Sequence, residues 1–165
     1  VISICLIFFF LTYNDVKSQE PKIIFGKAKV IDGDTIKIDK NKIRLYGIDA
    51  PEKKQQCQKM WLSISFLTLN KNYQCGKISS NKLKVKINNK FIMCKSSNKD
   101  RYNRFIAECY KDKININKWM VSNGYAVAYK KYSKKFVAQE NIAKKEKLGL
   151  WAGTFEMPWE WRKKN

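Results

Sequence analysis

A mainly β fold with helices added to it is what this sequence predicts, and three observations predict it. Residues 23–46 alternate apolar and polar side chains in three short runs separated by turn-forming residues. A second pair of strand-like runs occupies 91–95 and 104–110. After Ser133 the apolar positions change to helical spacing. The 165 residues are one domain's worth, with no internal repeat and no linker that would divide them.

The opening stretch, Val1-Ile-Ser-Ile-Cys-Leu-Ile-Phe-Phe-Phe-Leu-Thr12, is an apolar run of signal-peptide length and too short for a comfortable membrane span. Polar residues follow at once. Cleavage is expected near residues 17–20, which leaves 21–165 as the domain and makes the protein exported, either periplasmic or secreted. A retained N-terminal anchor over 1–20 is the competing reading. Cys5 follows Ile4 where a lipoprotein signal wants a small residue, so lipidation is not expected.

The runs Ile23-Ile-Phe-Gly-Lys-Ala-Lys-Val-Ile31, Thr35-Ile-Lys-Ile38 and Lys42-Ile-Arg-Leu-Tyr46 read as an antiparallel meander. Asp32-Gly-Asp34 and Asp39-Lys-Asn41 supply its turns. Asp49-Ala-Pro-Glu52 leaves the third strand, stopped by Pro51. The apolar segment Trp61-Leu-Ser-Ile-Ser-Phe-Leu-Thr-Leu69 reads as a hairpin-like excursion. Lys82-Leu-Lys-Val-Lys-Ile87 alternates as a strand does, which leaves 76–87 open between strand and helix. Asn117 is the expected cap of a short helix ending at Gly124, and Ser133 that of a longer one over 134–148. In the latter, Phe136, Val137, Glu140, Ala143 and Lys147 repeat at helical spacing.

Thirty-four basic residues against 14 acidic ones leave a net charge of +20. Such an imbalance costs self-repulsion in the folded state and favours a polyanionic partner, nucleic acid or an anionic membrane. Behind the leader lie Cys57, Cys75, Cys94 and Cys109. No pair has the spacing of a zinc site and the chain has no histidine, which argues against a sulfur-held metal. Two disulfides suit an exported chain better. Four cysteines allow three pairings, and sequence alone does not choose among them. The pairing expected is the local one, Cys57–Cys75 with Cys94–Cys109, each bond contributing roughly 3 kcal/mol through the unfolded state.

Without histidine, hydrolytic mechanisms that need an imidazole are excluded. Phosphodiester chemistry is left with a hard metal on carboxylates, a carboxylate base and arginines for the phosphate charge. Acids are scarce, yet Asp32, Asp34, Asp49 and Glu52 fall close together. An isolated Asp-Gly-Asp is more often a turn than a site. A second acidic group one strand-return away raises the reading, because carboxylates that share a pocket repel unless a cation lies between them. Among so many lysines only Arg44, Arg101, Arg104 and Arg162 are arginine. A planar fork on two phosphate oxygens is one task that lysine does not perform. The bland alternative for each is a surface ion pair, and Arg101 beside Asp100 is assigned it. Tyr102, Tyr125, Tyr129 and Tyr132 interleave with lysines, as suits unstacked bases, although buried or snorkelling positions explain them equally well.

Taken together, Ile31-Asp-Gly-Asp-Thr-Ile36, Ile43-Arg-Leu-Tyr-Gly-Ile-Asp-Ala-Pro-Glu52, Asp100-Arg-Tyr-Asn-Arg104, Gly124-Tyr-Ala-Val-Ala-Tyr129, Gly149-Leu-Trp-Ala-Gly153 and Pro158-Trp-Glu-Trp-Arg162 resemble the staphylococcal (micrococcal) nuclease, or thermonuclease, family. They run in the family's order over most of 25–162. The resemblance implies a five-stranded OB-type barrel with about three helices, and a calcium-dependent nuclease that leaves 3′-phosphate products from DNA or RNA. It implies Asp34 and Asp49 as calcium carboxylates, with Ala50 offering its backbone carbonyl. It implies Glu52 as activator of the attacking water, and Arg44 and Arg104 as stabilisers of the phosphate charge. Tyr102 falls near the bound phosphate; Tyr129 and Tyr132 match nucleotide-pocket tyrosines. The four cysteines also resemble those of exported bacterial members.

Two departures stand out. Ala50 replaces a threonine, at a position where the main chain is the ligand. Asn103 replaces the usual turn glycine, and asparagine tolerates the left-handed conformation better than other residues. A monomer with nucleic acid as substrate and no obligate protein partner is expected. The rival reading from another class is a non-catalytic OB-fold module that binds nucleic acid without cutting it. A third is a basic protein that binds anionic lipid or cell-wall polymer; it explains the lysines but not the acid and arginine placement.

Overall fold

In the first strand, alternate residues turn inward, so Ile24 and Ala28 are buried while Lys27 and Lys29 face water. That strand belongs to a computed structural model, which describes residues 20–65 and 67–165. The leader or anchor expected over 1–20 falls, up to residue 19, outside the described residues. β1 (Lys22–Val30), β2 (Thr35–Ile38) and β3 (Asn41–Leu45) form the expected antiparallel meander. β4 (Ile48–Asp49) follows at once.

β5 (Cys57–Ile64) and β6 (Leu67–Tyr73) are the excursion, a hairpin as expected, and α1 (Cys75–Ile87) runs back from it. The helix resolves the ambiguity over 76–87. Ser79, Ser80, Leu83 and Ile87 are buried at helical spacing, whereas Val85, which a strand would have buried, is 73% exposed. Alternating lysines only imitated a strand.

β7 (Phe91–Lys99) and β8 (Phe105–Lys111) pair antiparallel with a register shift between Ser96 and Asn98. β8 also pairs parallel with β3, while β1 pairs with β7. Strands β3-β2-β1-β7-β8 therefore close on themselves as a five-stranded barrel, which removes their free edges. β9 (Ile114–Asn115), α2 (Ile116–Ser122), β10 (Val127–Ala128), α3 (Val137–Lys145), a 3₁₀ turn over Gly149–Ala152, β11 (Gly153–Thr154) and α4 (Pro158–Lys164) complete the chain. Among the described residues there are four α-helices, one more than the expected three, the extra one closing the tail. None is long and apolar enough to cross a membrane.

Both caps assigned from sequence are displaced. Asn115, not Asn117, caps α2 by accepting the Lys118 N–H. Asn117 is buried within the helix, where it accepts from the Cys109 N–H at 3.0 Å and donates to the Tyr46 carbonyl at 2.9 Å. It serves tertiary packing instead. Ser133 takes the Lys135 N–H before the helix begins, and α3 starts at Val137 with no side-chain cap.

Both disulfides form in the local pairing. Cys94 and Cys109 face each other across β7 and β8, and Cys57 joins the base of the hairpin to the start of α1. The barrel core is Ile36, Ile38, Ile43, Leu45, Ile92 and neighbours, closed by Leu83 of α1, Met120 of α2 and Phe136 just before α3. A satellite cluster of Cys57, Cys75, Val127 and Leu150 seats the hairpin and the tail, with Trp151, Phe155 and Trp159 against it.

Candidate active site

Asp34 directly precedes β2 and is almost wholly buried, which its hydrogen bonds make tolerable. Its Oδ2 accepts the Ala50 N–H at 2.7 Å and its Oδ1 the Thr35 hydroxyl at 3.1 Å. The Leu45 N–H donates to the Asp34 carbonyl at 2.8 Å, locking the start of β2 to the end of β3. Asp49 lies on β4, paired with Val127 of β10, and is fully buried. Arg44, opposite Thr35 in the β2–β3 register, reaches both acids. Its Nη1 pairs with Asp34, and its Nη2 donates to Asp49 Oδ1 at 2.5 Å. One guanidinium thus brings to one point a carboxylate from the turn before β2 and another from β4. Burial pulls the Arg44 pKa below its ordinary value. The charge and hydrogen bond of Asp49 oppose that shift, and the like charge of Arg104 adds to it.

Arg104 is nearby because of barrel closure. It directly precedes β8, whose parallel partner is β3, the strand that carries Arg44. The Asp100–Arg104 turn is built by Asp100, which accepts the Tyr102 and Arg104 N–H groups at 2.9 Å each and Arg104 Nε at 2.7 Å. Burial would raise the Asp100 pKa, but these bonds outweigh it and hold the carboxyl below its ordinary range. Asn103 adopts φ +60°, the left-handed conformation expected where glycine is usual. Asp100 pairs with Arg104, not with Arg101 as the sequence reading assigned. Arg101 and Arg104 instead lie 4.9 and 5.5 Å from the ring centre of Tyr102, which is 64% exposed.

Glu52 lies outside regular structure, but its main chain is held. Its N–H donates to Gln55 Oε1 at 3.2 Å and its carbonyl accepts the Gln55 N–H at 2.7 Å. Helix α1 presses against the same carbonyl at Gly76, where a Cβ would collide with it. Only glycine lets the helix come this close.

Arg162, on α4, is the residue that sequence reasoning left out of the site. Its Nη2 donates to Asp49 Oδ2 at 2.9 Å, and its Nη1 to Asp49 Oδ1 at 3.1 Å and Glu52 Oε1 at 2.8 Å. Burial would lower its pKa, but the bonds and charges of Asp49 and Glu52 raise it above the ordinary value. The rarity of arginine, which singled out Arg44 and Arg104, applied equally here; only the fold of the tail selects it. Beside it, Trp159 stacks on Tyr129 with centroids 5.5 Å apart and planes 7° apart, and Tyr132 meets Tyr129 edge-on at 4.8 Å. Burial, then the Asp49 charge, raises the Tyr129 pKa. Tyr125 packs on Trp119 instead, away from this group.

The acid donors are all hard carboxylate oxygens, two of them on fully or nearly buried side chains, and such a set suits an oxygen-seeking divalent cation. Among the described residues no group of three or more His, Cys, Asp or Glu converges as a metal cage. A cation here would rest on Asp34, Asp49, main-chain oxygen and water, and would compete with two guanidiniums for the Asp49 oxygens.

Barrel and site define a small β-barrel with an acid–arginine cluster where β2, β4 and the β7–β8 turn meet. Residues 42–153 match the family described as staphylococcal nuclease homologues. The chain is 33% identical over 144 residues to the succinoglycan biosynthesis protein ExoI of Rhizobium meliloti (strain 1021), covering 86% of this chain and 70% of that one. It is 34% identical over 148 residues to a protein of Escherichia coli O157:H7 named an uncharacterized endonuclease, covering 84% and 85%. A Haemophilus influenzae protein of the same designation is 38% identical over 146 residues, covering 82% and 71%. The chain belongs to the staphylococcal nuclease family. Two of these three relatives carry the name endonuclease, which supports a nuclease hydrolase acting on nucleic acid.

Proposed function

We propose that the protein is an exported, calcium-dependent phosphodiesterase that cuts DNA or RNA and leaves a 3′-phosphate. The observation that carries this reading is the meeting of Asp34 and Asp49 on the Arg44 guanidinium, with Arg104 close enough for its charge to act on Arg44. Asp34, Asp49 and the Ala50 carbonyl would hold the calcium ion. When bound, the ion supplies Lewis-acid polarisation of a phosphoryl oxygen and a template for the attacking water. Glu52 orients that water and accepts its proton as the water attacks phosphorus, while the bond to the leaving 5′-oxygen breaks and that oxygen takes a proton from solvent. Arg44 and Arg104 donate to the nonbridging oxygens, where charge builds in the transition state. Their forks match that geometry as lysine would not. Tyr102, Tyr129 and Tyr132 offer aromatic faces for the sugar-base units on either side.

The surplus of 20 positive charges supports a polyanionic substrate, and two disulfides support an oxidising compartment. The test is to incubate the protein with plasmid and with RNA, in calcium and in chelator. Degradation in calcium alone is expected. Retarded but intact nucleic acid would instead mark a binding module, and no interaction at all would leave the lipid or polymer reading.

A further inference from the structure

The tail is anchored to the rest of the domain at three places before its last helix ends. β11 pairs with β5 of the hairpin, Gln55 Nε2 donates to the Glu156 carbonyl at 2.7 Å, and Trp159 stacks on Tyr129. Trp159 and Arg162 are three apart on α4 and so share one helix face. From that anchored face Arg162 spans two acids with different expected roles, Asp49 for the cation and Glu52 for the water.

We infer that Arg162 is a positioning residue that aims the Glu52 carboxylate relative to Asp49, so that the C-terminal helix is a working part of the active site. This rests on the phosphodiesterase reading above. Among the described residues, Arg162 is the one hydrogen-bond partner of the Glu52 carboxylate. Gln55 and Gly76 fix the Glu52 main chain but leave its side chain free to rotate. A planar fork with fixed donor angles sets the separation and orientation of the two acids together; a flexible lysine would supply charge without that geometry. The same guanidinium engages both Asp49 oxygens, so it holds calcium affinity down while it orders Glu52. Turnover and cation binding are therefore expected to move in opposite directions when it is removed.

The experiment compares wild type with Arg162→Gln and Arg162→Lys in steady-state cleavage, in calcium titration by calorimetry without nucleic acid, and in thermal unfolding. For Arg162→Gln, kcat is expected to fall about 10- to 100-fold, the scale for a reacting group displaced by about 1 Å, with KM changed by less than about threefold. Calcium affinity is expected to rise about three- to tenfold, because a competing positive charge has left. Arg162→Lys recovers part of the calcium effect and little of the turnover. If kcat falls in step with calcium affinity and melting temperature, the residue is only a structural strap and the inference is overturned. A wild-type nuclease whose Arg162→Gln variant is equally fast overturns this inference alone. Wild-type protein that binds calcium but cuts nothing overturns the phosphodiesterase reading and this inference with it.

Discussion

Replacing Asp49 with asparagine keeps the side-chain volume and removes the charge that two arginines share. Asp49 is fully buried and accepts three guanidinium hydrogen bonds, one from Arg44 and two from Arg162. Passing from a charged to a neutral acceptor weakens such a bond by about 1 kcal/mol. The Arg162 side chain is 35% exposed, so its two bonds are screened and count for about half. Asparagine also turns an N–H group toward one of the arginines, leaving Arg44 paired with Asp34 alone. The loss comes to roughly 2–3 kcal/mol, at the lower edge of what breaking a buried ion pair costs. For a domain of this size that is a fall in Tm of about 5–10 °C. The assay is thermal unfolding of wild type and Asp49→Asn in chelator, where no cation stabilises either protein. A variant that melts within about 1 °C of wild type, or above it, would refute the reasoning, because Asp49 would then not be the anion on which both guanidiniums depend.

Arg104→Ala is expected to lower kcat by at least ~10²-fold, with Arg104→Lys recovering little; near-normal turnover in either removes Arg104 from the site. Gly76→Ala drives a methyl into the Glu52 carbonyl, so it should cost about 1–3 kcal/mol in urea unfolding and lower turnover as well, whereas a fully stable and active variant would show that α1 does not fix the Glu52 loop. Because the Tyr129 pKa is raised above its ordinary 10.0, by burial first and then by the charge of Asp49, the folded state holds the phenol proton more tightly. The resulting stability is complete below pH 10.0 and lost as pH rises through the folded-state value. Ultraviolet titration should show a late-ionising tyrosine that moves back toward 10.0 in Asp49→Asn; an unshifted titration in both proteins counts against this placement.

Local patterns carried much of the fold. The meander over 23–46, the hairpin after Cys57 and the pair over 91–110 were legible because alternation and turn residues are properties of neighbours in sequence. Cap assignments failed where tertiary demand outweighed local chemistry. Asn117 has the right residue type for a helix start, but the Cys109 N–H and the Tyr46 and Ala107 carbonyls needed it inside the barrel's lid. Alternating lysines over 82–86 left α1 ambiguous until its burial pattern separated Leu83 from Val85.

What the sequence determined by itself was the inventory of chemistry. It has no imidazole, scarce acids of which Asp32, Asp34, Asp49 and Glu52 gather around two turns, four arginines in a lysine-rich chain, and motifs in the order of the staphylococcal nuclease family. What tertiary structure alone decided was which of these groups meet. Parallel pairing of β3 with β8 brings Arg104 beside Arg44, and the return of the tail brings Arg162 onto Asp49 across 113 residues of sequence. Contacts of that range depend on how the barrel closes and what packs over it. No local periodicity encodes them, because the free energy that selects them comes from burying distant segments against one another.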